Sequence, residues 1–182
     1  MDAKHEHSVV VEEYRDEHFD EVADIIAKAF AEPPWNESWT REEVRHKLDE
    51  VRTHRNALLL VARLPGHGNK IAGFAAGQHI SSFFRLEPYL KDKVPGNSYF
   101  LRIMAVHPGF RRMHIASALQ EVREKTAREL GCEAIVAFTH HDNAARIRMF
   151  EREGYRFSHH HFGVYGGVES KHSYFVKRLE RQ

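Results

Sequence analysis

The stretch Phe100–Leu119, FLRIMAVHPGFRRMHIASAL, constrains the fold of this chain most. It reads as an apolar strand, a short turn carrying Pro108 and Gly109, two adjacent arginines and then a helix. The first N–H groups of a helix have no acceptor inside it, and the helix dipole is positive at that end. Arg111 and Arg112 add formal charge at the same place. A strand that runs through a basic turn into a helix N-terminus predicts a site for a phosphorylated ligand.

The apolar pattern around this stretch predicts the remaining elements. Ser8–Tyr14 is a β-branched strand, and Asp16 caps a helix whose apolar positions are Phe19, Val22, Ile25, Ile26, Ala29 and Phe30. Pro33 and Pro34 end that helix and open the loop PPWNESW. Thr40 and Glu43 form a capping box, with Trp39 and Val44 as a hydrophobic staple, for a second helix that buries Val44, Leu48 and Val51. Ala57–Leu64 and Lys70–Ile80 make a hairpin around PGHGNK, and Ser81–Asn97 is a long connection with Phe83, Phe84, Glu87 and Tyr89. Ser98–Val106 is the central strand. The helix after it places Ile115, Ala118, Leu119, Val122, Thr126 and Leu130 on one face and stops at Gly131. Glu133–Thr139 is a strand, Asp142 caps the helix NAARIRMFERE, and Gly154 ends it. Tyr155–Val164 and His172–Leu179 close the chain as two strands, with Gly166 and Gly167 between them. This order predicts a single α+β domain over residues 1–182, a mixed sheet with helices on both faces.

Composition narrows the function. The chain has 182 residues and a formal net charge of +1, against the strong basic excess of a nucleic-acid binder, so no nucleic-acid partner is expected. Cys132 is the only cysteine, which forbids an intrachain disulfide, fits a reducing compartment and reads as a small buried residue. The start MDAKHEHSVV has no apolar signal core and no later stretch matches a membrane span, so a cytoplasmic location away from membranes is expected. His140–His141 and His159–His161 invite a metal. Adjacent strand residues point to opposite faces, and no carboxylate or cysteine stands at ligand spacing, so no metal is expected.

The element order, with RRMHIA after the VHP turn, resembles the GCN5-related N-acetyltransferase (GNAT) superfamily. Its phosphate signature is Gln/Arg-x-x-Gly-x-Gly/Ala; Arg111, Ile115 and Ala116 match it, and His114 replaces the first glycine. Its second motif, an Asn, a short helix with an aromatic, then Gly-Phe, is met by Asn143, Phe150, Gly154 and Tyr155. The resemblance implies a GNAT-like acyl-CoA N-acyltransferase fold, with a central, mostly antiparallel sheet in which two strands splay apart. The pantetheine arm of acetyl-CoA then pairs with Met104, Ala105 and Val106. The pyrophosphate rests on the N–H groups of Arg112, Met113, His114, Ile115, Ala116 and Ser117, beside Arg111. Asn143 bonds the pantetheine amides and Phe150 packs near the thioester. Phe150 stands where many members have a tyrosine that protonates the departing thiolate, a role that is then absent, or falls to water or to a group such as Tyr99 or Tyr165.

The activity so implied is transfer of an acetyl group to a primary amine of a small molecule, or of a protein, by direct attack. The alternative is a non-catalytic acyl-CoA-binding sensor of the same fold. The Val106 N–H is the expected oxyanion donor. Base candidates are Glu32, Glu37, Glu87, His107 and His141, with Glu32 or Glu87 preferred because the family places acceptor loops there. Arg102 either holds an anionic group of the substrate or pairs with a loop glutamate. Trp35, Phe84 and the neighbouring aromatics Trp39, Phe83 and Tyr89 either line the acceptor pocket or seal the core. Homodimerisation through the late strands is a further implication of the resemblance.

Overall fold

The computed structural model describes residues 8–85, 88–165 and 168–180. Its elements are β1 (Val10–Glu13), α1 (Phe19–Ala31), α2 (Arg41–Arg52), β2 (Leu58–Leu64), β3 (Lys70–His79), β4 (Ser98–Val106), α3 (Ile115–Glu129), β5 (Ala134–His140), α4 (Ala144–Arg152), β6 (Arg156–Tyr165) and β7 (Val168–Arg178). They form one sheet in the order β1-β2-β3-β4-β5-β7-β6, antiparallel except for β4 beside β5. The α1 and α2 helices cover one face through Val22, Ile25, Ile26, Val44 and Leu48. The other face packs on α3 and α4 through Ile115, Leu119, Ala127 and Phe150. The architecture is the mixed α+β arrangement that the element order predicts, with the mostly antiparallel sheet that the family resemblance implies.

Local chemistry explains most boundaries. The Thr40 hydroxyl accepts from the Glu43 N–H while the Glu43 carboxylate accepts from Thr40, so the capping box forms as read. Gly131 follows the last turn of α3 at φ 66, a left-handed conformation that suits glycine. Three expectations are corrected. Asp16 does not cap α1; its carboxylate accepts from Arg52 of α2 at 2.7 Å, and a single 3-10 turn, Asp16–His18, precedes the helix. Asp142 does not cap α4; the Asn143 Oδ1 accepts from the Arg146 N–H. The connection after β3 is a packed cover, in which Ile80, Phe83, Leu90 and Val94 bury against Phe100, Val136 and Tyr174. Glu87, Gly166 and Gly167 lie outside the described residues.

Two features of the sheet position the site. Strands β4 and β5 pair only from Ser98↔Ala134 to Leu101↔Ala137. Beyond that, β4 continues with β3 as far as Val106, and β5 continues with β7 as far as His140. The strands therefore part. At the same point β4 carries a bulge: its register jumps from Gly77↔Leu101 to Ala76↔Ile103, with Arg102 at the bulge. The bulge resets which way side chains point. Leu101 faces α3 and α4, Ile103 and Ala105 face α1, and Met104 and Val106 face α3. Arg123 of α3, with no exposed surface, caps the disturbed ladder by donating Nη1 to the carbonyls of Ala76 (3.1 Å) and Ile103 (3.0 Å).

The start of α3 rests directly on β3. A Cβ built on Gly73 would stand 2.6 Å from the Ile115 Cγ2 and 3.1 Å from the Leu119 Cδ1. A β-branched methyl in a helix has little freedom to turn away. Gly73→Ala is thus expected to lower stability by about 1–3 kcal/mol through overpacking, read as a lower urea midpoint. An unchanged midpoint would show that α3 is free to slide.

Candidate active site

The turn between β4 and α3 has a distinctive backbone. After β4 a 3-10 turn, Pro108–Phe110, carries Gly109, whose N–H donates to the His107 Nδ1 at 3.1 Å. Arg112 (φ 65) and His114 (φ 59) are both left-handed and flank Met113. Backbone of this kind turns successive N–H groups toward one point. The N–H groups of Ile115, Ala116 and Ser117 then open α3 without acceptors inside the helix. A side chain at φ 59 costs about 1–2 kcal/mol that glycine avoids, so His114 carries local backbone strain. Arg111 and Arg112 are exposed.

The gap between β4 and β5 is a cavity of about 640 Å³. On the α1 side its wall is Phe30, Trp35, Glu37, Trp39, Glu50, Phe83, Phe138 and His172. On the α3 side it is Met104, Arg123, Thr139, Asn143, Arg146 and Phe150. The His107 N–H donates to the Ala72 carbonyl of β3 at 2.9 Å. Strand N–H groups alternate in direction, so those of Val106 and Met104 point away from β3 into the gap. The backbone of Ala105 turns toward β3, and its side chain packs on α1, so Ala105 is not part of the gap edge.

Of the residues read from sequence, Met104, Asn143, Phe150, Arg102, Trp35, Trp39, Phe83 and Glu37 come together on this cavity. Others do not. Glu32 ion-pairs with Arg111 at the outer rim and does not line the cavity. Phe84 packs with the Ile80–Leu90 cover, and Phe83 lines the cavity in its stead, because the 3-10 turn over Ile80–Arg85 aims it inward beneath Arg102. Arg102 donates to the Glu50 Oε1 at 3.0 Å, with its guanidinium carbon 4.5 Å from the Phe83 ring centre. It is a wall-forming ion pair, and its partner comes from α2 rather than a loop. At the end of β5, Asp142 folds back so that ligand atoms of His140, His141 and Asp142 lie within 4.8 Å of one another, against the expectation that no carboxylate stands near these histidines. They are engaged mutually: the Asp142 N–H donates to the His140 Nδ1, and the His141 Nε2 lies 3.0 Å from the Asp142 Oδ1.

Two carboxylates face the cavity, and their environments differ. Burial pushes the Glu37 carboxyl above its ordinary range, offset only in part by the Trp39 indole N–H donating to it at 2.7 Å. Burial also pushes Glu50 up, but Lys47, Arg102 and His54 outweigh it and hold that carboxyl below its usual range. Burial, followed by repulsion from His140, His161 and His141, lowers His172 to about 4 and keeps it neutral. Arg123 and Arg146 were not singled out from sequence, although a signal existed. Arg123 lies four residues after buried Leu119 and four before buried Ala127, on the inward face of α3. Arg146 shares a helix face with Asn143 and Phe150.

The fold is similar to that of several solved proteins. One is the ribosomal-protein-S18-alanine N-acetyltransferase from Escherichia coli, with TM-score 0.68, 17% identity and 96% of each chain covered. Another is the ribosomal-protein-alanine N-acetyltransferase from Brucella melitensis, with TM-score 0.71, 19% identity, and 93% of this chain and 99% of that one covered. A third is yncA from Salmonella typhimurium with its cofactor acetyl-CoA, with TM-score 0.68, 15% identity, and 96% and 95% covered. Residues 19–155 match the Acetyltransferase (GNAT) family, a span that runs from α1 through the parted strands and the basic turn to just past α4. With the fold and the family match in agreement, the chain belongs to the acetyltransferase (GNAT) family.

Proposed function

We propose that this protein moves the acetyl group of acetyl-CoA to a primary amine of a small molecule by direct attack. The observation that carries this reading is the cavity at the β4–β5 parting, lined by the strand that runs on into the basic turn before α3. Family membership and the acetyl-CoA in the similar yncA structure support it. The residues present suit such a ligand: N–H groups for a diphosphate, strand N–H groups of Met104 and Val106 for an amide-bearing arm, and the Asn143 amide on the cavity wall.

Acetyl-CoA supplies a thioester-activated acetyl group; the chain supplies placement and proton handling. The Val106 N–H points into the gap, where it can receive negative charge developing on a carbonyl oxygen. Alkyl amines titrate near pH 10, so an acceptor must lose a proton before attack. Glu37 is the group for that task, because burial makes it a better proton acceptor than an ordinary glutamate while Glu50 is tied up by cations. Trp35, Trp39, Phe30 and Phe83 exclude water and favour an acceptor with an apolar body beside its amine. The volume, about 640 Å³, suits a small molecule.

Reversal of both arginines, Arg111→Glu with Arg112→Glu, is expected to weaken acetyl-CoA binding by about ten- to a hundredfold in calorimetry, given the usual worth of charge-assisted hydrogen bonds. Thiol release from acetyl-CoA against a panel of primary amines tests the activity. Binding without thiol release from any amine would overturn the catalytic reading in favour of a non-catalytic acyl-CoA-binding module.

A further inference from the structure

Helices α3 and α4 bring two guanidinium groups to the cavity wall on the side where the basic turn lies. Arg123 is fully buried. Its Nη1 serves the bulge carbonyls, its Nη2 donates to the Gln120 Oε1 at 2.8 Å, and its Nε has no acceptor. Arg146 shares the same Gln120 oxygen at 3.4 Å, touches the Met149 sulfur, and holds its guanidinium carbon 4.4 Å from the Phe150 ring centre. Among the described residues neither guanidinium forms an ion pair with a carboxylate.

The nearby carboxylates compensate only in part and through space, Glu153 acting on Arg146 and Glu124 on Arg123. Glu124 on α3 accepts from Lys177 at 2.7 Å and from the Tyr155 hydroxyl at 2.8 Å, and it pairs with Arg128. Glu153, after α4, is pushed toward its neutral form by burial and makes no ion pair among the described residues. His172 on β7 is neutral. Burial lowers Arg123 to about 9 and Arg146 to about 10, so both remain cations at neutral pH. Two like charges therefore sit at one cavity wall around a single neutral amide oxygen. Buried charge without a counter-ion is costly, and an arriving anion relieves that cost.

We propose that Arg146, backed by Arg123, forms an anion pocket that receives the sulfur of coenzyme A as a thiolate when the acetyl group leaves it. This rests on the acetyl-CoA reading above. The anion comes from the cofactor side, because both arginines stand on the α3 side of the cavity with Asn143 and Phe150, across from the aromatic wall of Trp35 and Trp39. The step balances without an acid at the sulfur. The amine reaches the thioester neutral, its first proton having passed through Glu37 to solvent; its lone pair then forms the C–N bond, the C–S bonding pair departs with sulfur, and the second amine proton goes to Glu37. The thiolate stays unprotonated against Arg146 until it reaches solvent. Phe150, under Arg146, has no proton to donate, and charge stabilisation takes the place of proton transfer.

Free coenzyme A is the probe, and its thiol is titrated on the protein by the ultraviolet absorbance of the thiolate. A cation within hydrogen-bonding reach lowers such a pKa by about one unit, which is about ten times more thiolate at neutral pH than in free coenzyme A. Arg146→Met is expected to abolish this shift and Arg146→Lys to keep most of it, while affinity for the protonated thiol form stays the same. A structural arginine would change affinity for both forms alike and leave the thiol pKa untouched. A bound thiol that titrates as in free coenzyme A on the unaltered protein overturns the proposal while leaving the cofactor reading intact. Failure of coenzyme A to bind at all removes both.

Discussion

Glu37→Gln is expected to lower turnover by about 10²- to 10⁴-fold, the usual span for losing a general base, with acetyl-CoA affinity unchanged. The expectation follows from how two similar carboxylates are treated by their neighbours. Glu50 is surrounded by Lys47, Arg102 and His54, which stabilise its charged form and make it a poor proton acceptor. Glu37 has only the Trp39 indole against the cost of burial, so its charged form is disfavoured and its affinity for a proton rises. The pH dependence follows in sign. A base must be deprotonated to work, so activity is lost as pH falls through the raised pKa of Glu37, above the ordinary 4.5. Glu37→Gln removes that acid limb. Glu32→Gln, at the rim beside Arg111, is expected to leave it in place. A Glu37→Gln enzyme with the unaltered profile would assign the proton to another acceptor.

Acid lability centred on His172 is the second large effect. His172 is fully buried, lies beside the Trp35 ring, and is lowered from 6.5 to about 4. Its proton is bound more tightly in the unfolded chain than in the folded one. The stability it contributes is therefore complete above pH 6.5 and is lost as pH falls toward 4. At 1.36 kcal/mol per pH unit the loss approaches about 3 kcal/mol. His140, His159 and His160 are displaced in the same direction and add to the slope. The carboxyls held low by their partners, Glu12, Glu50 and Glu124, titrate below 4.5, so their losses fall in a lower pH window. Urea unfolding at stepped pH is expected to show a falling midpoint between 6.5 and 4, flattened in His172→Gln. Identical slopes in the two proteins would exclude His172 as the source. The same neutrality matters for chemistry, since a further positive charge in this wall would disfavour an incoming cationic amine.

Where the sequence and the folded chain diverge, the cause is competition for a polar group that only the tertiary structure brings near. Asp16 has a capping side chain, but Arg52 lies 2.7 Å away once α2 packs on α1. Glu32 directly follows α1, and Arg111 arrives across the turn and takes it. Glu37, five residues on, is carried inward because the Glu37 N–H donates to the Phe30 carbonyl at 2.8 Å and closes the loop over Trp35. Phe83 and Phe84 are equivalent in composition; the 3-10 turn decides which one faces the cavity.

Local order along the chain determined the elements themselves. Apolar periodicity set the strands and helices, the Thr40–Glu43 box and Gly131 set helix ends, and the Pro108–Ala116 segment set a basic turn before α3, because each depends on residues within a few positions of one another. Only the tertiary structure decided the rest. The bulge at Arg102, the parting of β4 from β5, and the burial of Arg123 beneath that bulge depend on register between strands and on a helix crossing behind them. Such pairings are set by competition among distant backbone groups, and a one-residue slip in β4 reverses the face of every later side chain.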